Sequence, residues 1–223
     1  GSEMCIRDSI TSLSRSGRDW VLHTDHATVD EGYTRVVLAM TPPQAARLLA
    51  SHLPDWHRAL LDIRMVPCWT LLAITDATDW AYDAARVRDP ANPLTWIARN
   101  EYKPGRRMQG SNYPYTWWTA QAKGDWTFAN LSTERDTIRQ LLEAGIASAI
   151  GRPREAVQFR HSIVHRWLYA VAQGNPPAGV ERAWWSPRAR IGVCGDGLGG
   201  VGVERAFASG LALAEQMTAG FPV

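Results

Sequence analysis

The stretch that decides the fold runs from Ile191 to Met217 and reads "IGVCGDGLGGVGVERAFASGLALAEQM". A short run, 190–194, apolar from Ile191 on, has the look of a buried strand. Five glycines follow between 195 and 202, and then a helix-like run with Val203, Phe207, Leu211, Ala214 and Met217 on one face. Gly197, Gly199 and Gly202 stand in G-x-G-x-x-G spacing. A dinucleotide fingerprint of that spacing opens a βαβ unit of about 30 residues, with an acidic residue about 20 positions on. No second strand fits between Met217 and Val223. Within these residues the glycines therefore close a unit rather than open one. Two readings of the turn stand side by side. A strand end carrying Asp196, followed by a helix start with unpaired N–H groups, can hold a ligand that glycines allow to approach closely. The same glycines also serve a tight turn that needs positive φ.

Working outward, the chain alternates between two kinds of pattern. Residues 10–14 and 19–24 flank "RSGRD" and predict a hairpin. "RVVLAM", 35–40, is a continuous apolar run of the type buried on both faces, and it leads into "TPPQAARLLA". There Thr41 can cap, and Pro42 and Pro43 suit a first helical turn. A second helix is expected over 54–62. The middle is richer in strands: 65–75, "ARVRD" and "LTWIARN" about the turn "DPANP", and "YTWWTAQA" at 115–122. The segment 84–98 is expected to be strands and not helix, because Pro90 and Pro93 sit at a turn beside Val87, Thr95, Trp96 and Ile97. A helix from about Thr133 to Ile150 carries Ile138, Leu141, Leu142, Ile146, Ala149 and Ile150 on one face, ending at Gly151 and Pro153. A long strand covers 157–171.

Composition narrows the classes. A chain of 223 residues can bury a core without a disulfide or metal. The net charge is +2, and no basic run is interleaved with aromatics, which argues against nucleic acid as a partner. No apolar stretch reaches the length of about 18 residues that a membrane span needs. Cys5, Cys68 and Cys194 are odd in number and far apart, as free thiols in a reducing, cytoplasmic compartment would be. His161 and His165 share one strand face but lack a third ligand at metal-like spacing, so no metal is expected. No G-x-S-x-G motif occurs, which disfavours a serine hydrolase of that kind. The start, "GSEMCIRDS", resembles translated sequencing adapter, so residues 1–9 are expected to be non-native. The eleven tryptophans fill a core or line an aromatic pocket.

Several stretches in order, "VVLAMTPPQAARLL", "PCWTLLAI", "LTWIARNEYKPGR", "TWWTAQAKGDW", "HRWLYA" and "CGDGLGGVGVERAFASG", resemble the renalase-like group of FAD-dependent oxidoreductases with the flavin amine-oxidase fold. The likeness covers most of 10–217, and its most specific part is Gly195-Asp196, Gly199-Gly200, Glu204-Arg205-Ala206 and Ser209-Gly210. The resemblance implies a mixed α/β (α+β) chain. Residues 10–50 and 186–223 would form a partial FAD-binding Rossmann-like domain, and 51–185 an inserted antiparallel-sheet substrate domain. It implies FAD as cofactor, with Gly195 and Asp196 near the ribityl chain. The backbone of Gly202, Val203 and Glu204 would face the flavin N1–C2=O edge, and that of Ile10 the adenine. The family's own G-x-G-x-x-G, which lies near the native N-terminus, is absent from these residues. The implied activity is hydride transfer from an amine-like or dihydropyridine-like carbon to flavin N5, with oxygen reoxidising the flavin. On this reading the chain is a C-terminal fragment, inactive alone, monomeric, and acting on a small molecule. No catalytic base is assigned. Trp96, Asn100, Trp118, His165 and Trp167, from the aromatic strands, are the candidates for the substrate pocket. The rival expectation is a non-catalytic small-molecule-binding module using the same pocket.

Overall fold

In a computed structural model of the chain, the described residues are 9–25, 32–105, 114–173 and 182–219. The adapter-like start, 1–8, lies outside them. In chain order the strands and helices begin with β1 (Ile10–Ser16), β2 (Asp19–Thr24), β3 (Val36–Ala39), α1 (Pro42–Leu49) and α2 (Pro54–Leu61). Then come β4 (Met65–Asp76), β5 (Ala84–Arg86), β6 (Leu94–Arg99), β7 (Tyr115–Ala122), α3 (Gly124–Ala129) and α4 (Arg135–Ala149). The last are β8 (Phe159–Ala172), β9 (Trp184–Ser186), β10 (Ile191–Cys194) and α5 (Val203–Thr218). The segment 84–98 is β5, a turn and β6, so the proline-marked run folds as strands. None of the described helices is long and apolar enough to cross a membrane.

The chain divides into two compact units, a flanking one up to Met65 and from Val171 onward, and a central one, Val66–Ala170. In the flanking unit, β3 and β10 pair in parallel, from Ile191 opposite Val36 to Cys194 opposite Ala39. β9 runs antiparallel on the far side of β10. β1 and β2 form the expected hairpin. Trp20, Leu38, Leu49, Leu60, Ile191, Val193 and Leu198 make the core. The segment 51–65, assigned from sequence to the inserted domain, clusters here, because α2 places Leu60 in that core. β10 is buried at all four positions. β3 is not the doubly buried strand expected: Val37 is 43% exposed, and among the described residues β3 is an edge strand with β10 on one side only.

The helix α5 corrects the sequence reading more sharply. Of the expected apolar face, Val203, Phe207 and Leu211 are 88%, 69% and 51% exposed, and Ala214 is exposed too. Only Met217 packs inward, with Ala212 and Leu213. The buried face also carries Ser209, whose hydroxyl accepts from Gly195 N at 3.0 Å and donates to the Arg182 carbonyl. Those bonds orient the helix so that one apolar stripe is left outside.

The central unit is a five-stranded sheet, β5-β6-β7-β4-β8, with α4 across one face. Its core includes Trp69, Leu71, Ile97, Trp118, Ile138, Leu142 and Ile146. Leu141, expected on the inner face of α4, is 43% exposed. α4 is capped by Glu134, whose carboxylate accepts from Asp136 N and Thr137 N, one residue later than Thr133 suggested. The short α3 escaped the sequence reading. Glu143 on α4 is buried and accepts from Arg139 at 2.8 Å, and from Arg154 and Ser162. Burial pushes its carboxyl up, but those three donors outweigh burial and hold it below the usual carboxylate range.

Candidate functional site

The flanking unit places a cleft of about 520 Å³ at the carboxyl ends of its two parallel strands. Open α/β sheets hold ligands at such ends. Ala39, Met40 and Thr41 line one side, where β3 passes into α1. Cys194, Gly195 and Asp196 follow β10, and Ala206, Phe207, Gly210 and Leu211 of α5 form the other wall. The walls are mostly apolar, and none of the described residues that line the cleft is basic. Burial pushes the Cys194 thiol up, so it stands there protonated and neutral. Thr41 Oγ donates to Gln44 Oε1 at 2.6 Å and caps no backbone N–H of α1.

The turn between β10 and α5 is specified by backbone shape. All five of its glycines have positive φ, from 73° at Gly199 to 139° at Gly200. A Cβ on Gly199 would meet Arg182 Cα at 2.9 Å, and one on Gly197 would meet Ile63 at 2.8 Å. Leu198, the residue between them, is buried and anchors the turn in the core. At Gly202, by contrast, a Cβ would meet nothing within 4 Å, so there φ of 100° alone calls for glycine. Asp196 faces inward along the turn. Its Oδ1 accepts from Gly202 N at 2.8 Å and its Oδ2 from Ala172 N at 3.3 Å. The carboxylate thus braces the turn and also lines the cleft. The N-cap of α5 is Gly202, which has no side chain to cap the helix, so its first-turn N–H groups receive no bond from that residue.

The residues nominated for a cofactor separate accordingly. Gly195 and Asp196 line the cleft. Gly202, Val203 and Glu204 are at the head of α5 but outside the lining, with Val203 almost fully exposed. Ile10 is on the hairpin, packed against the core. The α5 wall, Ala206 to Leu211, was missed as a lining because its apolar spacing reads as core.

Among the described residues of the central unit, α4 covers one face of the sheet and leaves the other bare of it, and strand alternation sorts the pocket candidates onto that bare face or off it. On β8, Ser162 bonds to Glu143 of α4, Val164 joins the core, and the Arg166 guanidinium lies over the Trp69 ring. Ile163, His165 and Trp167 therefore point to the opposite face, where the His165 and Trp167 rings stand 4.2 Å apart. On β6, Trp96 alternates with buried Ile97 and takes the same bare face. Asn100 joins it by donating from Nδ2 to Thr119 Oγ1 at 2.8 Å. Trp118 does not. It is 1% exposed, packs in the core beside Trp80, and donates its indole N–H to Thr75 Oγ1 at 2.9 Å. Its neighbour Trp117 holds the bare-face position, opposite Ile74. Four of the five candidates thus share a face, and the fifth belongs to the core.

No protein-family model matches the chain. Among solved structures, a protein assigned as a protoporphyrinogen oxidase from Exiguobacterium sp. is similar with a TM-score of 0.69 at 18% identity, over 95% of this chain and 46% of its own. Cyclohexylamine oxidase from Brevibacterium oxydans gives 0.61 at 11% identity, over 94% and 48%. A putrescine oxidase from a redesign of cofactor binding gives 0.61 at 13% identity, over 95% and 48%. At such identities the likeness shows the fold. It is the mixed α/β, amine-oxidase fold that the motifs implied, and the chain spans about half the length of the structures it matches.

Proposed function

We propose that the chain is the flavin-end and substrate-binding part of a longer FAD-dependent oxidoreductase, of the renalase-like kind that its motifs resemble. The observation that carries this reading is the cleft at the ends of β3 and β10, walled by Gly195, Asp196 and the α5 face. The residues there fit one end of the cofactor. Apolar walls suit a planar ring, and the uncapped start of α5 favours partial negative charge nearby. None of the described residues lining the cleft is basic, as a pyrophosphate would call for, so on this reading the ADP end would be held by other polypeptide. The exposed α5 stripe and the β3 edge left open among the described residues support that: an apolar helix face and an unpaired strand edge are what a further strand and helix would cover. FAD, when bound, supplies a hydride acceptor that passes electrons on to oxygen. This chain's residues would orient that ring, keep water from it with apolar walls, and present a small molecule on the aromatic sheet face. The unpaired thiols Cys68 and Cys194 support a cytoplasmic setting.

A titration of the two halves of the cofactor tests the reading. Riboflavin should bind saturably, followed by quenching of its fluorescence, and ADP should not bind. FAD should be lost on desalting, since none of the described residues lining the cleft is basic. Tight, stoichiometric retention of FAD, or binding of ADP in preference to riboflavin, would overturn it.

A further inference from the structure

We infer that an arginine cluster at the amino end of β10 docks a partner protein that presents an extended segment rich in Asp and Glu. This surface lies apart from the cleft and does not depend on the function proposed above.

The arginines come from two separate stretches, "SRSGRD" (14–19) and "SPRARI" (186–191). Arg15 and Arg18 stand at the tip of the β1–β2 hairpin, and Arg188 and Arg190 in the turn between β9 and β10. The fold fastens the two stretches together at one carbonyl: Arg15 Nη2 and Trp20 Nε1 both donate to the Ala189 oxygen, the indole at 3.0 Å. Arg15 Nη1 donates to the Arg18 carbonyl at 3.1 Å, and the Arg15 guanidinium lies 3.6 Å from the Trp20 ring centre. Arg15 is thereby fixed. Arg18, Arg188 and Arg190 make no side-chain hydrogen bond or ion pair with another described residue.

Charge and backbone both work against this arrangement. Burial against Trp20 and the Arg190 charge beside it lower the Arg15 pKa, and Asp19 offsets them only in part. Arg190 has a φ of 53°, and it is the one non-glycine residue with positive φ among the described residues. Glycine or asparagine would hold that conformation with less strain. A turn that sets unpaired like charges together at a strained residue is stabilised by negative charge brought from outside.

The surroundings select the carrier of that charge. The exposed residues between the arginines are Ser16, Gly17 and Pro187, and none of them is the large apolar group that a protein inserts into a membrane surface. Single-stranded nucleic acid uses rings that stack successive bases, but Trp20 is 1% exposed beneath Arg15, and Tyr33, 37% exposed, is a single ring at the border. Carboxylates need neither. They accept from guanidinium forks by two bonds at a time, and an extended segment advancing about 3.3 Å per residue reaches spaced arginines without a pocket. The cleft is at the carboxyl end of β10, four residues or roughly 13 Å away, so a docked segment leaves it open.

Each exposed guanidinium–carboxylate pair contributes up to about fivefold in affinity. The three unpaired arginines therefore contribute up to about a hundredfold together, and salt screens the effect. Fluorescence anisotropy of a fluorescein-labelled deca-glutamate peptide, titrated with the flavin-free chain, reads this. Binding should be saturable and weaken at least about tenfold between about 20 mM and about 300 mM salt. The triple variant Arg18→Gln, Arg188→Gln, Arg190→Asn should weaken it at least about tenfold in low salt. Its urea midpoint should equal or exceed the wild-type value, because asparagine suits the positive φ at 190. Should the triple variant unfold early, Arg18→Gln alone, at the exposed tip, must still weaken binding about two- to fivefold. A control with the same change of charge, Arg86→Gln, Arg88→Gln, Arg135→Gln in the central unit, should weaken it less than about twofold. No saturable binding, equal losses from the two triple variants, or tighter binding of phosphatidylserine vesicles or of a DNA duplex than of the peptide would each overturn the inference. No flavin enters the assay, so a failed riboflavin titration leaves this result standing.

Discussion

Replacing Asp196 by alanine removes two acceptors from the turn that joins β10 to α5. One bond, to Gly202 N at 2.8 Å, has ideal length and a charged acceptor. Bonds of that kind contribute about 1.5–3 kcal/mol. The other, to Ala172 N at 3.3 Å, lies beyond the usual range and adds about 0.5 kcal/mol. Asp196 is partly exposed, so water replaces some of what is lost, and the low end applies: about 2 kcal/mol for Asp196→Ala. Asparagine keeps one oxygen that can face Gly202 N but loses the charge, which predicts a loss of about 1 kcal/mol. For a chain of 223 residues these correspond to roughly 4–8 °C and 2–4 °C in melting midpoint. Ligand-free thermal and urea unfolding of wild type, Asp196→Ala and Asp196→Asn would measure this, followed by tryptophan fluorescence, to which Trp20, Trp56, Trp184 and Trp185 of the flanking unit contribute. A riboflavin titration of the same three proteins completes the comparison. An Asp196→Ala protein that melts with the wild type yet loses flavin affinity would refute the bracing argument, because the carboxylate would then serve the ligand and not the turn.

Three other outcomes follow from the central unit and the thiols. The Glu143 carboxyl is held below its unfolded value, so its contribution is present above about pH 4.5 and is lost as pH falls through the folded value. Glu143→Gln should therefore cost about 2–3 kcal/mol near neutral pH, and the urea midpoints of variant and wild type should converge in acid; a gap that stays constant with pH would count against the network. Trp118→Ala should cost about 3–5 kcal/mol in urea unfolding, and Trp117→Ala less than about 2 kcal/mol, because only the first leaves a core cavity; equal losses would contradict the face assignment. In a Cys5→Ser background, Cys68 and Cys194, both pushed up by burial, should react with a disulfide reagent at neutral pH far more slowly in the folded protein than in urea; equal rates would show the thiols to be open.

Most of the element order was legible because its signals are local. Alternation and proline placement marked β5, β6 and β7, and the 3.6-residue period marked α4. The clustering of glycines at 195–202 marked a turn needing positive φ, and all five glycines have it. Asp196 was legible as a carboxylate at a strand end, but its bonds to Gly202 N and Ala172 N were not, since Ala172 is 24 positions away in sequence.

What the sequence by itself determined is therefore the set of elements, the fold class and the strand–glycine–helix unit that walls the cleft. Only the tertiary structure decided which way side chains face. "TWW" puts two indoles in consecutive positions of one strand, and alternation guarantees that they point to opposite faces without saying which face is core. The packing of β7 against α4 chose Trp118 for the core and left Trp117 for the bare face. On α5, the spacing of Val203, Phe207 and Leu211 matches a buried stripe as well as an open one. The Ser209 hydroxyl, tied to Gly195 N and the Arg182 carbonyl, turned that stripe outward. A periodic pattern fixes the angle between side chains on an element; the contacts that element makes with distant residues fix its rotation, and with it the surface left for function.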